Sequence, residues 1–374
     1  MRVPGGDAAQ CALIPANNIA PAPAACKDAI ALPASKTPQR AARRGSGGVT
    51  INDVARLAGV SAITVSRALN GPAAVSPLTL EKVRDAVART GYVPNLLAGG
   101  LASNRSRLVA ALVPTIAGPV FLQTIQALTE TLAAAGCQLM LGQSGYADSR
   151  EDALIDAIVG RRPEGIVLTG IMHSPEGRRK LAASGIPVVE TWDLSAAPID
   201  MLVGFSHEQA GAAVAEFLCA KGYRHPAIVT ADDHRASLRK LGFERALRAR
   251  GIAAAPLYTV AAPTTFRHGR ESLRKLLADH PGIDAVFCSS DLMAHGVITE
   301  AQARGLSIPG DLAVVGFGDL AFAADLNPAL STVHIDGPSI GRQAAQFIID
   351  RSTGRDPGPR IRDIGFSVIE RASA

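Results

Sequence analysis

The sequence predicts a small all-α unit followed by an α/β unit with two lobes. The all-α unit is indicated by residues 49–70, VTINDVARLAGVSAITVSRALN, which have the pattern of two short helices joined by a glycine turn. The α/β unit is indicated by apolar strands and helices that alternate from Leu108 onward. Charge also separates the two parts. Residues 36–107 carry a net charge of +8, from 11 Lys or Arg and 3 Asp or Glu, whereas the whole chain carries +5.

The ends of the two short helices can be identified in the sequence. Thr50 and Asp53 have the spacing of a capping box, and Gly59 is a C-cap at which the backbone turns left-handed. Ser61 caps a second helix from Ala62 to about Leu69. This layout is typical of a helix-turn-helix, whose second helix lies in the DNA major groove. An ordinary αα-hairpin has the same local pattern, but the concentration of positive charge favours DNA binding.

Three further segments complete this half of the chain. Ser76 and Pro77 predict a third helix that runs to about Thr90 and ends at Gly91. Residues 92–107 predict a linker, because two adjacent glycines each weaken a helix by about 1 kcal/mol. The first 48 residues are rich in Ala and Pro and predict a disordered tail. We therefore expect a tail (1–48), a helical DNA-binding domain (49–93), a hinge linker (94–106) and an α/β domain (107–374).

The α/β domain contains nine predicted strands. They lie at 108–113, 138–141, 165–169, 186–190, 201–205, 226–230, 284–288, 311–316 and 331–335. Helices are predicted between them at 119–135, 150–161, 175–184, 207–221, 236–250, 267–279, 291–304 and 339–351. This alternation predicts parallel sheets covered on both faces, with too many strands for one compact unit. We expect two similar lobes separated by a cleft, which is a natural site for a small ligand.

Several other classes of protein are disfavoured by the sequence. No apolar run approaches the ~20 residues that a membrane helix needs, and the N-terminus has no signal-peptide pattern. We therefore expect a cytoplasmic protein with no membrane partner. The five cysteines are scattered and are expected to be reduced thiols, three of them in the core. No His or Cys spacing suits a metal, and GQSGY at 142–146 lacks the final glycine of a nucleophile elbow.

One segment matches a dinucleotide-binding fingerprint. Gly316, Gly318 and Ala321 follow a strand with the spacing G-x-G-x-x-A, and Asp336 lies 20 residues after the first glycine. The intervening AFAADLNPAL contains Pro328 and is too short for a good crossover helix. An NAD-dependent oxidoreductase is therefore a rival hypothesis that the sequence disfavours.

Four residues are candidates for binding a small ligand. Arg239 lies in a helix that follows a strand and a loop, and Asp291 begins a helix after a buried strand. Both belong to the carboxyl ends of strands, where open α/β sheets bind ligands. Phe266 and Trp192 follow loops and could stack on the face of a sugar. The structural alternatives are a surface ion pair for Arg239, a helix N-cap for Asp291, and core packing for the two aromatic side chains.

Several motifs occur in a fixed order along the chain. They are T-I-x-D-V-A-x-x-A-G-V-S-x-x-T-V-S-R at 50–67, Gly91-Tyr-Val-Pro-Asn95, Leu101-Ala102, Gly204-Phe-Ser, Ser290-Asp291, Val315-Gly316-Phe317 and Pro328-x-Leu-Ser-Thr-Val333. With them, residues 49–370 resemble the lactose-repressor (LacI/GalR) family of bacterial transcription regulators. The resemblance implies a homodimer that binds operator DNA and a small-molecule effector, without a cofactor or enzymatic activity. It also implies a body like a type I periplasmic sugar-binding protein, with three chain crossings between the lobes.

The resemblance further implies which residues touch DNA. Ala62, Ile63 and Arg67 would face bases in the major groove, and a hinge helix at 95–102 would insert Leu101 into the minor groove. Because positions 62 and 63 are apolar, Arg67 must carry most of the guanine readout. The implied DNA contacts are Ser61, Ala62, Ile63, Thr64, Ser66, Arg67, Asn95, Ala98 and Leu101.

Finally, the resemblance implies a ligand. The implied effector contacts are Arg239, Asp291, Phe266, Trp192 and Phe317. The stretches 144–153 and 185–206 look most like the gluconate-utilisation repressor subgroup, which implies a sugar acid whose carboxylate faces Arg239. A sugar-binding transport protein is a second rival, opposed by the helical domain. No leucine heptads follow residue 350, so we expect a dimer rather than a tetramer.

Overall fold

A computed structural model describes residues 48–93, 106–116, 118–145, 148–172, 174–252 and 255–374. The chain separates into two compact units, one ending at Val93 and the other beginning at Pro94. The predicted tail, apart from Gly48, and the predicted linker, apart from Ser106, lie outside the described residues. So do Asn95, Ala98 and Leu101, whose predicted DNA contacts therefore stay predictions.

The first unit is a bundle of three helices, α1 (Ile51–Ala58), α2 (Ala62–Asn70) and α3 (Pro77–Thr90). The carboxylate of Asp53 accepts a hydrogen bond from the backbone nitrogen of Thr50 at 2.9 Å, as a capping box requires. The turn between α1 and α2 places Gly59 in the left-handed region at φ 66°. The core is formed by buried side chains of all three helices, which include Val54, Val65 and Val83.

The second unit contains two six-stranded sheets, and each sheet forms one lobe. The strands of the first lobe are β1 (Leu108–Val113), β2 (Gln138–Gln143), β3 (Gly165–Thr169), β4 (Val188–Thr191), β5 (Met201–Gly204) and β11 (Ile361–Asp363). Those of the second lobe are β6 (Pro226–Ala231), β7 (Leu257–Val260), β8 (Ala285–Cys288), β9 (Ala313–Gly318), β10 (Ser331–His334) and β12 (Ser367–Ile369). The two strand orders, β11-β5-β4-β3-β1-β2 and β12-β10-β9-β8-β6-β7, are equivalent, and only β12 runs antiparallel to its neighbour.

The helices of this unit connect and cover the two sheets. They are α4 (Leu122–Ala134), α5 (Asp148–Val159), α6 (Pro175–Ser184), α7 (His207–Ala220), α8 (His234–Ala249), α9 (Phe266–Asp279), α10 (Asp291–Ala303) and α11 (Gly337–Ser352). The chain crosses between the lobes three times, from β5 to α7, from β10 to α11, and from β11 to β12. The predicted two-lobed α/β architecture is therefore confirmed.

Three strands were not predicted from the sequence. β7 and β11 are edge strands whose residues are alternately exposed, and β12 is a three-residue antiparallel edge strand. All nine predicted strands are present. The three additional strands were missed because they are short edge strands without the continuous apolar run that is typical of a strand buried on both faces. Among the described cysteines, Cys137 and Cys288 are buried and Cys219 is half-buried, and all three are reduced thiols.

Helices α7 and α8 touch through their backbones, because glycines face each other where they cross. A Cβ atom added at Gly211 would collide with the carbonyl oxygen of Arg239, and one added at Gly242 would collide with that of Glu208. These backbone contacts fix how the two helices are aligned along each other. These helices carry His207 and Arg239, so the contact also positions the cleft residues described below.

Gly242→Ala should therefore destabilise the α/β unit. Alanine is the better helix former, but its methyl group has no space here, and overpacking of this kind costs about 1–3 kcal/mol. Urea unfolding of the purified protein measures the loss. Gly282→Ala is the control, because a Cβ atom there meets nothing within 4 Å. A Gly242 variant as stable as the Gly282 variant would contradict the close helix contact.

Candidate functional site

The second helix of the first unit has a buried face and an exposed face. Val65 and Ala68 are buried in the core, whereas Ile63 is 66% exposed and Arg67 is also exposed. The Ser61 hydroxyl caps the helix by accepting the backbone N–H of Thr64 at 3.1 Å. Ala62, Thr64 and Ser66 are half-buried. The exposed face thus has the form expected of a helix that enters a DNA groove, with one long cationic side chain beside an apolar one.

The α/β unit has a cleft between its lobes at the carboxyl ends of the strands. Its outer compartment has a volume of about 350 Å³ and is lined by residues that follow β1, β2, β3, β4 and β6. Its inner compartment has about 90 Å³ and is lined by Trp192, His207, Arg239, Ser289 and Phe317, among others. Asp233, Arg235 and Ala262 line both compartments. The predicted cleft between the two lobes is therefore present, and it contains two adjacent cavities that share these three residues.

Arg239 is held in place by contacts on several sides. It is only 6% exposed, and its guanidinium carbon lies 4.0 Å from the centre of the Phe317 ring. Its Nη1 lies 2.8 Å from Nδ1 of His207, and its Nη2 donates to the backbone oxygen of Ser289 at 3.3 Å. A guanidinium that is buried against an aromatic face and fixed by acceptors is a preorganised cationic site.

The contacts of His207 determine its tautomer. A guanidinium has no acceptor, so the His207 Nδ1 must accept from Arg239, and the ring proton must be on Nε2. From there it donates to the backbone oxygen of Trp192 at 2.8 Å. Burial and the nearby charge of Arg239 hold the pKa of His207 well below its ordinary value of 6.5. His207 is therefore neutral at physiological pH, with both ring nitrogens in hydrogen bonds.

Trp192 forms the wall of the inner compartment on the first lobe. Its backbone has a positive φ of 62°, and its side chain is 2% exposed. The rings of Phe121 and Phe205 pack edge-on against it, with centroids at 5.1 and 6.0 Å. Its indole nitrogen donates to the Thr124 hydroxyl at 3.0 Å. Trp192 thus belongs to the core and also lines the cavity, where it could contact a ligand.

Arg235 bridges the cleft and was missed in the sequence. Its Nη1 donates to the backbone oxygen of Thr169 in the opposite lobe at 3.2 Å, and its guanidinium lies 5.3 Å from the Phe121 ring. It precedes Arg239 by four residues, so the two side chains lie on one face of α8. The i, i+4 spacing of the two arginines on one helix is the sequence signal for Arg235.

Asp291 and Phe266 do not line either compartment. Asp291 is fully buried, and its carboxylate accepts hydrogen bonds from the Thr332 hydroxyl at 2.6 Å and the Leu320 backbone at 2.7 Å. Burial raises its pKa to about 6. Phe266 packs edge-on against His295, with ring centroids 4.9 Å apart. Of the five predicted effector contacts, the structure therefore brings Arg239, Trp192 and Phe317 together and leaves these two outside.

The glycines of the dinucleotide fingerprint have a structural purpose. A Cβ atom at Gly316 would collide with the carboxylate of Asp291, and Gly318 has a φ of 124° that favours glycine. The two glycines thus make room for the buried aspartate and for the turn that it caps. This accounts for the motif without a nucleotide.

Comparisons with known proteins agree with this architecture. Residues 50–95 match the family described as bacterial regulatory proteins, lacI family, and residues 215–374 match the periplasmic binding protein-like domain. The chain is 39% identical to the HTH-type transcriptional regulator GntR of Pseudomonas aeruginosa, over 88% of this chain and 97% of that protein. The chain belongs to the lacI family. It is therefore a DNA-binding transcriptional regulator and not an enzyme.

Other members of the lacI family match over a similar extent. The HTH-type transcriptional regulator GntR of Escherichia coli K12 is 30% identical, over 85% of this chain and 96% of the relative. The crystal structure of a LacI family regulator from Silicibacter pomeroyi is 31% identical and superposes with a TM-score of 0.82, covering 87% of this chain and 99% of that one. Among the described residues of this lacI-family chain, no helix is long and apolar enough to cross a membrane.

The depressed pKa of His207 predicts a pH dependence of stability. Below pH 6.5 the unfolded chain binds a proton on this residue and the folded protein does not, so acidification favours unfolding. The wild-type protein should lose stability from this residue by up to about 1.4 kcal/mol per pH unit. His207→Gln should remove that contribution. The check is urea unfolding of both proteins between about pH 7.5 and pH 5.

The titration of Asp291 has the opposite effect on stability, but it does not affect the difference between wild type and the His207 variant. Its raised pKa means that the folded protein binds the proton more readily, so it gains stability as the pH falls through about 6. Both proteins retain Asp291, and its contribution cancels in the difference between them. Parallel curves for wild type and variant would show that His207 does not titrate as described.

Proposed function

We propose that this regulator is a repressor of sugar-acid catabolic genes, released from its operator when a sugar acid enters the interlobe cleft. The observation that carries this proposal is the separation of charge along the cavity. Arg239 lines only the inner compartment, Arg235 and Asp233 line both, and Glu151, Asp193 and Asp232 line only the outer one. A ligand that is anionic at one end and rich in hydroxyl groups at the other is complementary to both ends.

The inner compartment suits a carboxylate. Its volume of about 90 Å³ admits a group of a few atoms but not a whole sugar ring. Arg239 is buried there beside Phe317, so its charge is poorly screened and attracts an anion more strongly than a surface arginine does. A carboxylate between Arg239 and Arg235 would interact with both guanidinium groups of α8.

The outer compartment suits a polyol. Glu151, Asp193, Asp232 and Asp233 line it together with Ser144. Carboxylate oxygens accept hydrogen bonds from hydroxyl groups, and pairs of them orient the hydroxyls of a sugar chain. The same carboxylates would repel a second acidic group, which favours a monoacid over a diacid.

The proposed DNA contacts come from the first unit and the hinge. Arg67 reads a guanine, while Ala62 and Ile63 contact thymine methyl groups. Two copies of the chain bind a pseudo-palindromic operator as a homodimer in the cytoplasm. Asn95, Ala98 and Leu101 are further proposed DNA contacts, in the minor groove. Effector binding changes the angle between the lobes and misaligns the two hinges, which lowers operator affinity. Asp291 and Phe266 line neither compartment, so we propose no direct contact between them and the effector.

Arg239→Gln should weaken binding of D-gluconate by about 10- to 100-fold, because a charge-assisted hydrogen bond contributes about 1.5–3 kcal/mol. Isothermal titration calorimetry measures the affinity. Arg248→Gln is a matched control on the same helix, since the Arg248 side chain is 62% exposed. Equal binding by the two variants, or stabilisation of the wild type by NAD and not by sugar acids, would contradict the proposal.

Arg67→Ala should reduce operator affinity by about 1–3 kcal/mol and relax base preference at one position of each half-site. Fluorescence anisotropy on the protein's own upstream DNA, with every base substituted in turn, measures both effects. Arg89→Ala changes an exposed arginine on α3 and is the control. If the variant keeps the wild-type base preference, Arg67 does not read the base.

A further inference from the structure

Four residues form one hydrogen-bonded chain across the cleft, which we call the interlobe relay: Thr124, Trp192, His207 and Arg239. Trp192 takes part through both its indole N–H and its backbone carbonyl, and the other three through their side chains. The Thr124 hydroxyl donates to the backbone oxygen of Gly337 at 2.9 Å and accepts the indole N–H of Trp192 at 3.0 Å. The Trp192 carbonyl accepts from His207 at 2.8 Å, and His207 accepts from Arg239 at 2.8 Å. Every member is buried, so none of these bonds competes with water.

The direction of each bond in the relay is fixed. Arg239 can only donate, so His207 must accept on Nδ1 and donate from Nε2. The indole N–H can only donate, so Thr124 must accept it, and its own proton is then directed to Gly337. A single arrangement of protons satisfies the whole relay. A movement at one end therefore cannot be absorbed by a change of tautomer at the other.

The relay also touches two of the three chain crossings between the lobes. His207 is the first residue of α7, directly after the crossing from β5. Gly337 is the first residue of α11, directly after the crossing from β10. Thr124 lies on α4, which packs against α11 in the first lobe. The relay thus connects the cationic end of the cavity to the segments that must bend if the lobes change their angle.

We propose that His207 is a positioning residue that couples Arg239 to the angle between the lobes. Its Nδ1 orients the guanidinium, and its Nε2–H holds the Trp192 carbonyl, so one ring ties the ligand-binding charge to the first lobe. An anion that pulls on Arg239 moves the histidine, and the histidine moves Trp192, Thr124 and the start of α11. The inference rests on the proposed function for the identity of the anion, but the relay itself exists without a ligand.

The two nitrogens of His207 can be tested separately. His207→Asn retains an acceptor near the position of Nδ1 and loses the bond to the Trp192 carbonyl. His207→Gln retains a donor near the position of Nε2 and loses the acceptor for Arg239. The positioning role predicts that these two variants have different defects, whereas a residue that only fills space would give similar ones.

Trp192 provides a readout that needs no ligand. It is the only tryptophan in the chain, so the full-length protein gives a single indole cross-peak in a ¹H–¹⁵N spectrum. The peak should stay at its wild-type position in the Gln variant, and should shift and exchange faster with solvent in the Asn variant. Peaks that are the same in the two variants overturn the inference.

Ligand and operator binding provide the second readout. With D-gluconate as the probe, the Gln variant should bind at least about tenfold more weakly, because Arg239 loses its support. The Asn variant should bind within about threefold of wild type. Its operator affinity should, however, respond to D-gluconate much less than the roughly 5- to 150-fold change typical of such coupling. Undiminished coupling in the Asn variant also overturns the inference.

Variants of Thr124 test the relay at its other end. They provide a second test that does not depend on whether the His207 variants fold. Thr124→Val removes the acceptor of the indole N–H and should shift the cross-peak and reduce the coupling without any contact with Arg239. Thr124→Ser keeps the hydroxyl and should restore both. A wild type that does not bind D-gluconate would count against the sugar acid of the proposed function, while the cross-peaks would still decide the relay.

Discussion

The burial of the Arg239 charge constrains most of the α/β unit. A guanidinium that is removed from water must be compensated, and here the compensation comes from the Phe317 face, the Ser289 carbonyl and a neutral histidine. These groups come from β9, the end of β8 and the start of α7. The strand order of the second lobe and the first chain crossing must therefore be correct before the charge can be accommodated.

The same requirement explains why glycine lies where α7 and α8 cross. With Gly211 and Gly242 in contact with opposing backbones, the two helices approach closely enough for His207 to reach Arg239. Larger residues would separate the helices and stretch that bond. Close helix packing and the position of the buried Arg239 charge thus depend on the same few contacts.

The two arginines of α8 make different contacts in the cleft. Arg239 points inward and is fixed within its own lobe, apart from its link through His207, whereas Arg235 reaches the opposite lobe at the Thr169 carbonyl. The charge of Arg239 therefore stays in one place, whereas the hydrogen bond of Arg235 to Thr169 depends directly on the distance between the lobes. In the proposed mechanism, a ligand that contacts both guanidinium groups would change the angle between the lobes.

The sequence alone determined the order of elements, the three helices of the first unit with their caps, and nine of the twelve described strands, because apolar periodicity and capping chemistry are local properties. It also singled out Arg239, Trp192 and Phe317. Only the tertiary structure decided the edge strands, the roles of His207, Thr124 and Arg235, and the separation of Asp291 from the cavity. Those depend on side chains far apart in sequence: Asp291 meets Thr332 across 41 residues, and Trp192 meets Thr124 across 68. No spacing along the chain encodes which of many polar side chains meet when two sheets are brought together.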